Sequence, residues 1–146
     1  MTYDIRPACI DDAAAIQRLN ADEMGYDYPP EAMAAKLSAA LTRKTERVFV
    51  AEVDGVVVGY VHAADYDVLY APHMKNILGI AVSKANKRCG IGRALLRVVE
   101  DWAKVTGADG VRLVSGAART EAHAFYQSCG YEYGKDQKNF RKRVTP

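Results

Sequence analysis

Lys87, Arg88 and Arg93 flank a glycine pair, Gly90-Ile91-Gly92, and residue types in this pattern bind an anion. Glycines at a helix start let the backbone approach a ligand closely. The free N–H groups of the first helical turn then point at that ligand, with the positive end of the helix dipole behind them. The stretch from Ile80 to Leu96 reads as a β-strand, a short basic turn and the start of an amphipathic helix, which is the framework such a cradle needs. A dinucleotide fingerprint would require a third glycine where Leu95 stands, and it would open the first βα unit rather than lie past the middle of the chain. A Walker motif would require Gly-Lys-Ser/Thr, whereas Gly92 is followed by Arg93-Ala94. Both nucleotide readings fail on spacing, which leaves a diphosphate-bearing ligand or a plain strand-to-helix turn.

The elements that must position these residues alternate along the chain. Tyr3 to Arg6 reads as a short strand closed by Pro7, and Asp11-Asp12 offers an N-terminal cap for a helix running to about Met24. After the Gly25 to Pro30 break, a second helix spans about Glu31 to Leu41. Val48 to Val53 and Val56 to Ala64 are β-rich runs joined by Asp54-Gly55, a strong hairpin signal. A loop rich in Tyr and His, Asp65 to Lys75, leads to the strand Ile77 to Val82. The helix from Gly90 carries Ile91, Leu95, Val98, Val99 and Trp102 on one stripe and closes at Gly107. Val111 to Ser115 reads as a buried strand, Thr120 to Ser128 as a helix, and Asn139 to Val144 as a final strand. The expected order is β-α-α-β-β-β-α-β-α-β, a mixed α/β sheet flanked by helices in a single domain, 1–146.

Composition narrows the function classes. The chain has 146 residues, a hydrophobic share of 49%, a charged share of 26% and a formal net charge of +2, ordinary values for one globular domain. No apolar run approaches the length of a membrane span, and the N-terminus lacks a signal peptide's apolar core, so a cytoplasmic location without membrane attachment is expected. Cys9, Cys89 and Cys129 are far apart and without CxxC spacing, which supports neither a disulfide framework nor a zinc site. Charge is polarised along the chain. Asp4, Asp11, Asp12, Asp22, Glu23, Asp27 and Glu31 face only Arg6 and Arg18 at one end, whereas bases dominate from Lys84 to Lys104. Lys135, Lys138, Arg141, Lys142 and Arg143 read as a charge-protected edge strand rather than a nucleic-acid footprint.

Two motifs in order carry a family resemblance. Lys87-Arg88-Cys89-Gly90-Ile91-Gly92 resembles the Arg/Gln-x-x-Gly-x-Gly/Ala motif of the GNAT superfamily of N-acetyltransferases. Ala122 to Tyr131 resembles its second signature, an alanine followed by an aromatic, a tyrosine and Gly-Phe or Gly-Tyr. Lys87 departs from the family's Arg or Gln, at a motif that works largely through backbone amides. The element order resembles the GNAT fold from end to end. The resemblance implies a mostly antiparallel sheet and acetyl-CoA as cofactor, with its pyrophosphate held at Lys87, Arg88, Cys89, Gly90, Ile91, Gly92 and Arg93. Backbone groups at Ile80, Ala81 and Val82 would meet the pantetheine arm and the acetyl carbonyl. Gly79 would mark the bulge that opens the gap between this strand and the next.

Acetyl transfer to an amine needs a held thioester, a neutral amine, a donor for the developing oxyanion and a proton for the departing thiolate. Tyr126 matches the family's tyrosine, and a phenol of pKa about 10 suits the general acid. The base is harder to find: the strand Ile77 to Val82 carries no carboxylate, and His73 is the nearest group that titrates near neutrality, with Asp65 and Asp67 as candidates acting through a water. His123 reads as a packed or capping residue. Glu23, Tyr26 and Tyr28, with Asp22 and Asp27 beside them, combine acid with aromatic faces suited to an amine, and Tyr66 and Tyr70 would complete the pocket. The expectation is therefore an N-acetyltransferase acting on a small-molecule or peptide amine by direct attack in a ternary complex. A non-catalytic acyl-CoA sensor is the alternative. Homodimers are common in the family, and no sequence feature specifies an interface.

Overall fold

Asp54 and Gly55 both adopt left-handed backbone, with φ of 50° and 78°, as a two-residue type I′ hairpin requires. They join β2 (Glu46–Val53) to β3 (Val56–Tyr66) at the centre of the sheet. The structure is a computed structural model and describes residues 2–146. Its chain forms two compact units, one ending at Leu113 and the other beginning at Val114.

In the first unit, β1 (Asp4–Pro7), β2, β3 and β4 (Met74–Val82) lie side by side and antiparallel, and β5 (Gly110–Leu113) joins β4 in parallel. The helices α1 (Ala13–Met24) and α2 (Pro30–Thr42) contribute Ile16, Leu19, Met33, Leu37 and Ala40 to a core shared with Val48, Val50, Tyr60 and Ala81 of the sheet. The helix α3 (Ile91–Thr106) covers the other face. A Cβ at Gly59 would lie 3.4 Å from both Ile91 and Leu95, so the helix seats directly on that glycine. Side chains alternate between the faces of a strand, so Tyr60, His62, Ala64 and Tyr66 share the α1/α2 face, whereas Val61, Ala63 and Asp65 share that of α3.

The expected cap at Asp11-Asp12 takes a different form. Residues Ile10–Asp12 make a 3-10 turn, and the Asp12 carboxylate reaches back to accept from the Cys9 N–H at 2.8 Å. The Arg6 guanidinium donates to both its oxygens at 2.8 Å and, through Nε, to Glu52. The hydrogen bond from Arg6 outweighs burial and holds the Asp12 carboxyl below its ordinary range. This pair ties the entry of α1 to the β1–β2 edge.

One register shift matters most for function. His62 of β3 pairs with Gly79 of β4, and Ala63 pairs with Ile77, so Leu78 is an extra residue with no opposite number. The bulge expected at Gly79 thus lies one residue earlier, and Gly79 plays a separate part. A Cβ there would sit 3.1 Å from the Tyr60 hydroxyl, which donates to Asn20 Oδ1 on α1. Burial pushes the Tyr60 phenol up to about 12. The glycine makes room for that inter-element bond.

In the second unit, α4 (Thr120–Ser128) is the sole regular element among the described residues. The final strand expected over Asn139 to Val144 does not form, and the segment is irregular. Lys142 interrupts the face that Phe140 and Val144 would share, and Arg141 and Arg143 charge the opposite one, so neither face gains by burial. Phe140 and Val144 are accordingly 87% and 85% exposed.

Two stability predictions follow from these contacts. Because its folded-state carboxyl is depressed, Asp12 contributes stability above the unfolded-state range and loses it as pH falls through the folded value. Asp12→Asn is expected to lower the unfolding free energy by about 1–3 kcal/mol at pH 7, the half-exposed Arg6 limiting the figure. The deficit should shrink below about pH 4, as the wild type loses the same charge. Denaturant melts across pH check both parts. Gly79→Ala is expected to cost about 1 kcal/mol by displacing the Tyr60 hydroxyl from Asn20, and an unchanged melting curve would show that the ring yields freely.

Candidate functional site

The cradle is built by a short break in regular structure. After β4 ends at Val82, Lys84–Asn86 make a 3-10 turn, Arg88 takes φ 64° and Gly90 takes φ 84° as the N-cap of α3. Left-handed backbone at a non-glycine residue costs about 1–2 kcal/mol, a cost the turn carries at Arg88. Positive φ at Gly90 needs the glycine, although among the described residues its Cβ position is open, with the Tyr3 hydroxyl 3.6 Å away. The first intrahelical acceptor is the Gly90 carbonyl, bonded to the Ala94 N–H at 3.0 Å. The amides of Ile91 and Gly92 belong to the first turn, which has no intrahelical acceptors for its N–H groups. With Lys87, Arg88 and Arg93 beside it in sequence, the turn combines positive charge with first-turn amides, a set suited to phosphate oxygens.

Glu23 was expected on the acceptor surface, and its side chain lies against the cradle. Its Oε2 accepts from the Lys84 N–H at 3.2 Å, and its Oε1 is buried 3.8 Å from the Lys87 ammonium with no hydrogen-bond partner among the described residues. The end of α1 therefore anchors the start of the cradle loop.

Upstream, β4 supplies a strand edge. Its pairing with β5 runs from Met74↔Gly110 to Ile77↔Leu113 and goes no further. The edge facing away from β3, from Leu78 through Ile80, Ala81 and Val82, has no strand partner among the described residues. Backbone polar groups there are available to an extended ligand, and the Leu78 bulge sits where the pairing stops.

The two faces of the sheet near this edge differ sharply. On the α3 face, Lys75 is almost fully buried, with its ammonium on Asp65 and 3.8 Å from the Trp102 ring centroid. His73 Nε2 lies 3.0 Å from the same Asp65 oxygen. Burial pushes the Asp65 carboxyl up, and the bonds from Lys75 and His73 outweigh it, leaving it below its ordinary range. The structure thus draws His73 and Asp65, two of the expected base candidates, into an ion cluster at the start of β4, where that strand is still paired to β5.

On the α1/α2 face, beyond the part the helices cover, Arg112 donates to Asn76 Oδ1 at 2.8 Å and stacks 4.1 Å from the Tyr66 ring centroid, and the Tyr66 and Tyr70 hydroxyls are 3.3 Å apart. Tyr26 and Tyr28 are exposed in the loop between α1 and α2, with Lys36 over the Tyr28 ring at 5.8 Å. The same face holds a pair that sequence reasoning missed. His62 Nε2 lies 2.8 Å from Glu46 Oε1, and Arg43 donates to Glu46 Oε2 at 2.8 Å. The hydrogen bond from Arg43 is the main reason the Glu46 carboxyl sits below its ordinary range. The period-2 alternation of Tyr60, His62 and Tyr66 was the available signal, but a histidine inside an apolar run reads as core until the register shows what it faces.

In the second unit, Tyr126 is half-buried on α4, 5.5 Å from the Phe125 ring and 6.4 Å from Tyr131. Burial pushes its phenol up, which keeps it protonated through neutral pH. His123 Nε2 lies 2.9 Å from the Gly116 carbonyl, so this ring ties the loop ahead of α4.

Comparison with known proteins bears on this arrangement. No curated protein matches the chain in sequence. Among solved structures, the aminoglycoside N-acetyltransferase AAC(6')-Iy in complex with CoA is similar at 21% identity and a TM-score of 0.88, over 98% of this chain and 96% of that one. AAC(6')-Ih from Acinetobacter baumannii, an aminoglycoside 6'-N-acetyltransferase, is 17% identical with a TM-score of 0.86, over 99% and 100%. The glucosamine-6-phosphate N-acetyltransferase from Arabidopsis thaliana is 16% identical with a TM-score of 0.83, over 97% and 99%. These likenesses establish a shared fold. The model of the acetyltransferase (GNAT) family matches residues 13–131, spanning both the cradle and α4, and the chain therefore belongs to the GNAT acetyltransferase family.

Proposed function

We propose that the chain transfers the acetyl group of acetyl-CoA to a primary amine by direct attack within a ternary complex. The observation that carries this reading is the continuous run from the open β4 edge at Leu78–Val82 into the amide-lined turn at Arg88–Gly92. That run offers strand-type hydrogen bonding to an extended amide-bearing arm, followed by an anion site for a pyrophosphate, the order of groups along CoA. When bound, acetyl-CoA supplies the activated acetyl thioester. The first-turn amides of α3 with Lys87, Arg88 and Arg93 hold the pyrophosphate, and backbone groups at Ile80 and Val82 hold the arm and polarise the acetyl carbonyl. Tyr126 keeps its proton at neutral pH and delivers it to the departing thiolate.

The acceptor surface is the uncovered α1/α2 face with Tyr66 and Tyr70, together with Tyr26 and Tyr28. Aromatic rings suit a cationic amine, and the solved relatives named for aminoglycosides and glucosamine 6-phosphate make amino sugars the first acceptors to try. The single-domain reading, in which residues 1–146 act as one catalytic module, belongs to the same proposal.

Thiol release from acetyl-CoA is to be followed with neamine, glucosamine 6-phosphate, polyamines and short lysine peptides, with acetyl-CoA affinity measured by calorimetry. Acceptor-dependent release is expected with at least one amine class. Tyr126→Phe should then lower kcat by about tenfold or more while leaving acetyl-CoA affinity within about twofold. Acetyl-CoA binding without acceptor-dependent release across the panel would favour a non-catalytic acyl-CoA sensor, and an unchanged Tyr126→Phe rate would remove the acid role.

A further inference from the structure

An acceptor amine with a pKa near 10 is almost wholly protonated at neutral pH, so attack needs a group that takes its proton beside the acetyl site. β4 carries no carboxylate, and the His73–Asp65 pair is tied to buried Lys75 near Trp102, on the α3 face. We infer that His62 is the general base for the acceptor amine and that Glu46 is its positioning residue; the inference rests on the acetyl-transfer reading above.

Register places His62 at the right station. It stands directly across from Gly79, immediately beside the extra residue Leu78, where β4 leaves β5 and its edge opens. Cross-strand partners lie about 4.5–5.5 Å apart, so this imidazole belongs to the segment that would hold the acetyl carbonyl. Its side chain is 30% exposed, so solvent reaches it. The core of α1 and α2 packs on Val48, Val50, Tyr60 and Ala81, and His62 lies at the border of that covered area, on the face that carries Asn76, Arg112 and Tyr66.

The hydrogen-bond chemistry assigns the atoms. Glu46, held ionised by Arg43, can only accept, so the proton between it and His62 is on Nε2. The lone pair is then on Nδ1, which has no hydrogen-bond partner among the described residues. In the step, an N–H bond of the ammonium breaks with its electron pair left on the amine nitrogen, and a bond from Nδ1 to that proton forms. The imidazolium, stabilised by the Glu46 carboxylate, later returns the proton to water. Among the titratable and charged groups around His62, Glu46 of β2 bonds it, Arg43 bonds Glu46 in turn, and the Tyr60 phenol lies two residues along the same face of its own strand; the residues directly across, Val48 on β2 and Gly79 on β4, are uncharged.

The test uses the whole protein with acetyl-CoA and whichever of neamine, glucosamine 6-phosphate or a lysine peptide gives the fastest thiol release. Wild-type kcat is expected to fall along a limb as pH is lowered, and the ring protons of His62, followed by NMR without cofactor, should titrate as well. His62→Gln should lower kcat about tenfold or more at pH 7 and abolish the limb, with KM for acetyl-CoA within about twofold. Glu46→Gln removes a negative charge beside the imidazolium, so it should move both the kinetic limb and the His62 NMR midpoint to lower pH together. A limb retained in His62→Gln, lost instead in His73→Gln, or unmoved in Glu46→Gln while the NMR midpoint shifts, would overturn the assignment alone. Absence of transfer by the wild type with every amine would overturn the reading it rests on as well.

Discussion

Everything near the site depends on one extra residue in a strand. Leu78 has no opposite number on β3, and because side chains alternate with a period of two, an unmatched residue reverses which face every later side chain serves. Asn76 before the bulge and Gly79 and Ala81 after it share one face, while Lys75, Ile77 and Ile80 share the other. Without the reversal, Gly79 would not lie under the Tyr60 hydroxyl, nor Ala81 in the core beneath α1 and α2. The same irregularity coincides with the end of β4–β5 pairing, so a packing correction and an open strand edge arise at one place.

The two faces then divide the polar labour. The α3 face buries Lys75 between Asp65 and Trp102, an arrangement tolerated because the charge is both paired and set against an aromatic ring. The opposite face leaves its polar groups half-exposed, joined in pairs: His62 with Glu46, Asn76 with Arg112, Tyr66 with Tyr70. The two histidines are about equally exposed, at 28% for His73 and 30% for His62, and differ instead in what shares their carboxylate. His73 shares Asp65 with the buried Lys75 ammonium on the α3 face, whereas His62 shares Glu46 with Arg43 on the opposite one.

Much of this was legible in the chain. Asp54-Gly55 gave the hairpin because positive φ at two successive residues is cheap only for such pairs, and the stripe from Ile91 to Trp102 with glycines at both ends marked α3. The cradle was readable because its chemistry is local, three bases and two glycines within a few positions. What escaped depends on partners far away in sequence. Gly79 signals a bulge, but its position at Leu78 is a relation between β3 and β4, and Glu23 suits an acceptor amine until α1 is laid against Lys84 and Lys87. The terminal strand failed for the converse reason: an apolar residue at each end of a basic run imitates alternation, but Lys142 gives that face nothing to bury.

The sheet's borders hold a further consequence. Its outermost strands, β1 and β5, have four residues each, against eight to eleven for the three between them. An exposed strand offers its unpaired amides and carbonyls as a template to any other extended chain, and the strength of that template grows with its length. Here β1 ends in a proline and carries Asp4 and Arg6, the latter turned to Asp12 and Glu52. The open run on β4, Leu78–Val82, begins where β5 stops, so among the described residues the sheet concentrates its strand-type bonding at the proposed ligand edge and leaves short, charged margins on either side.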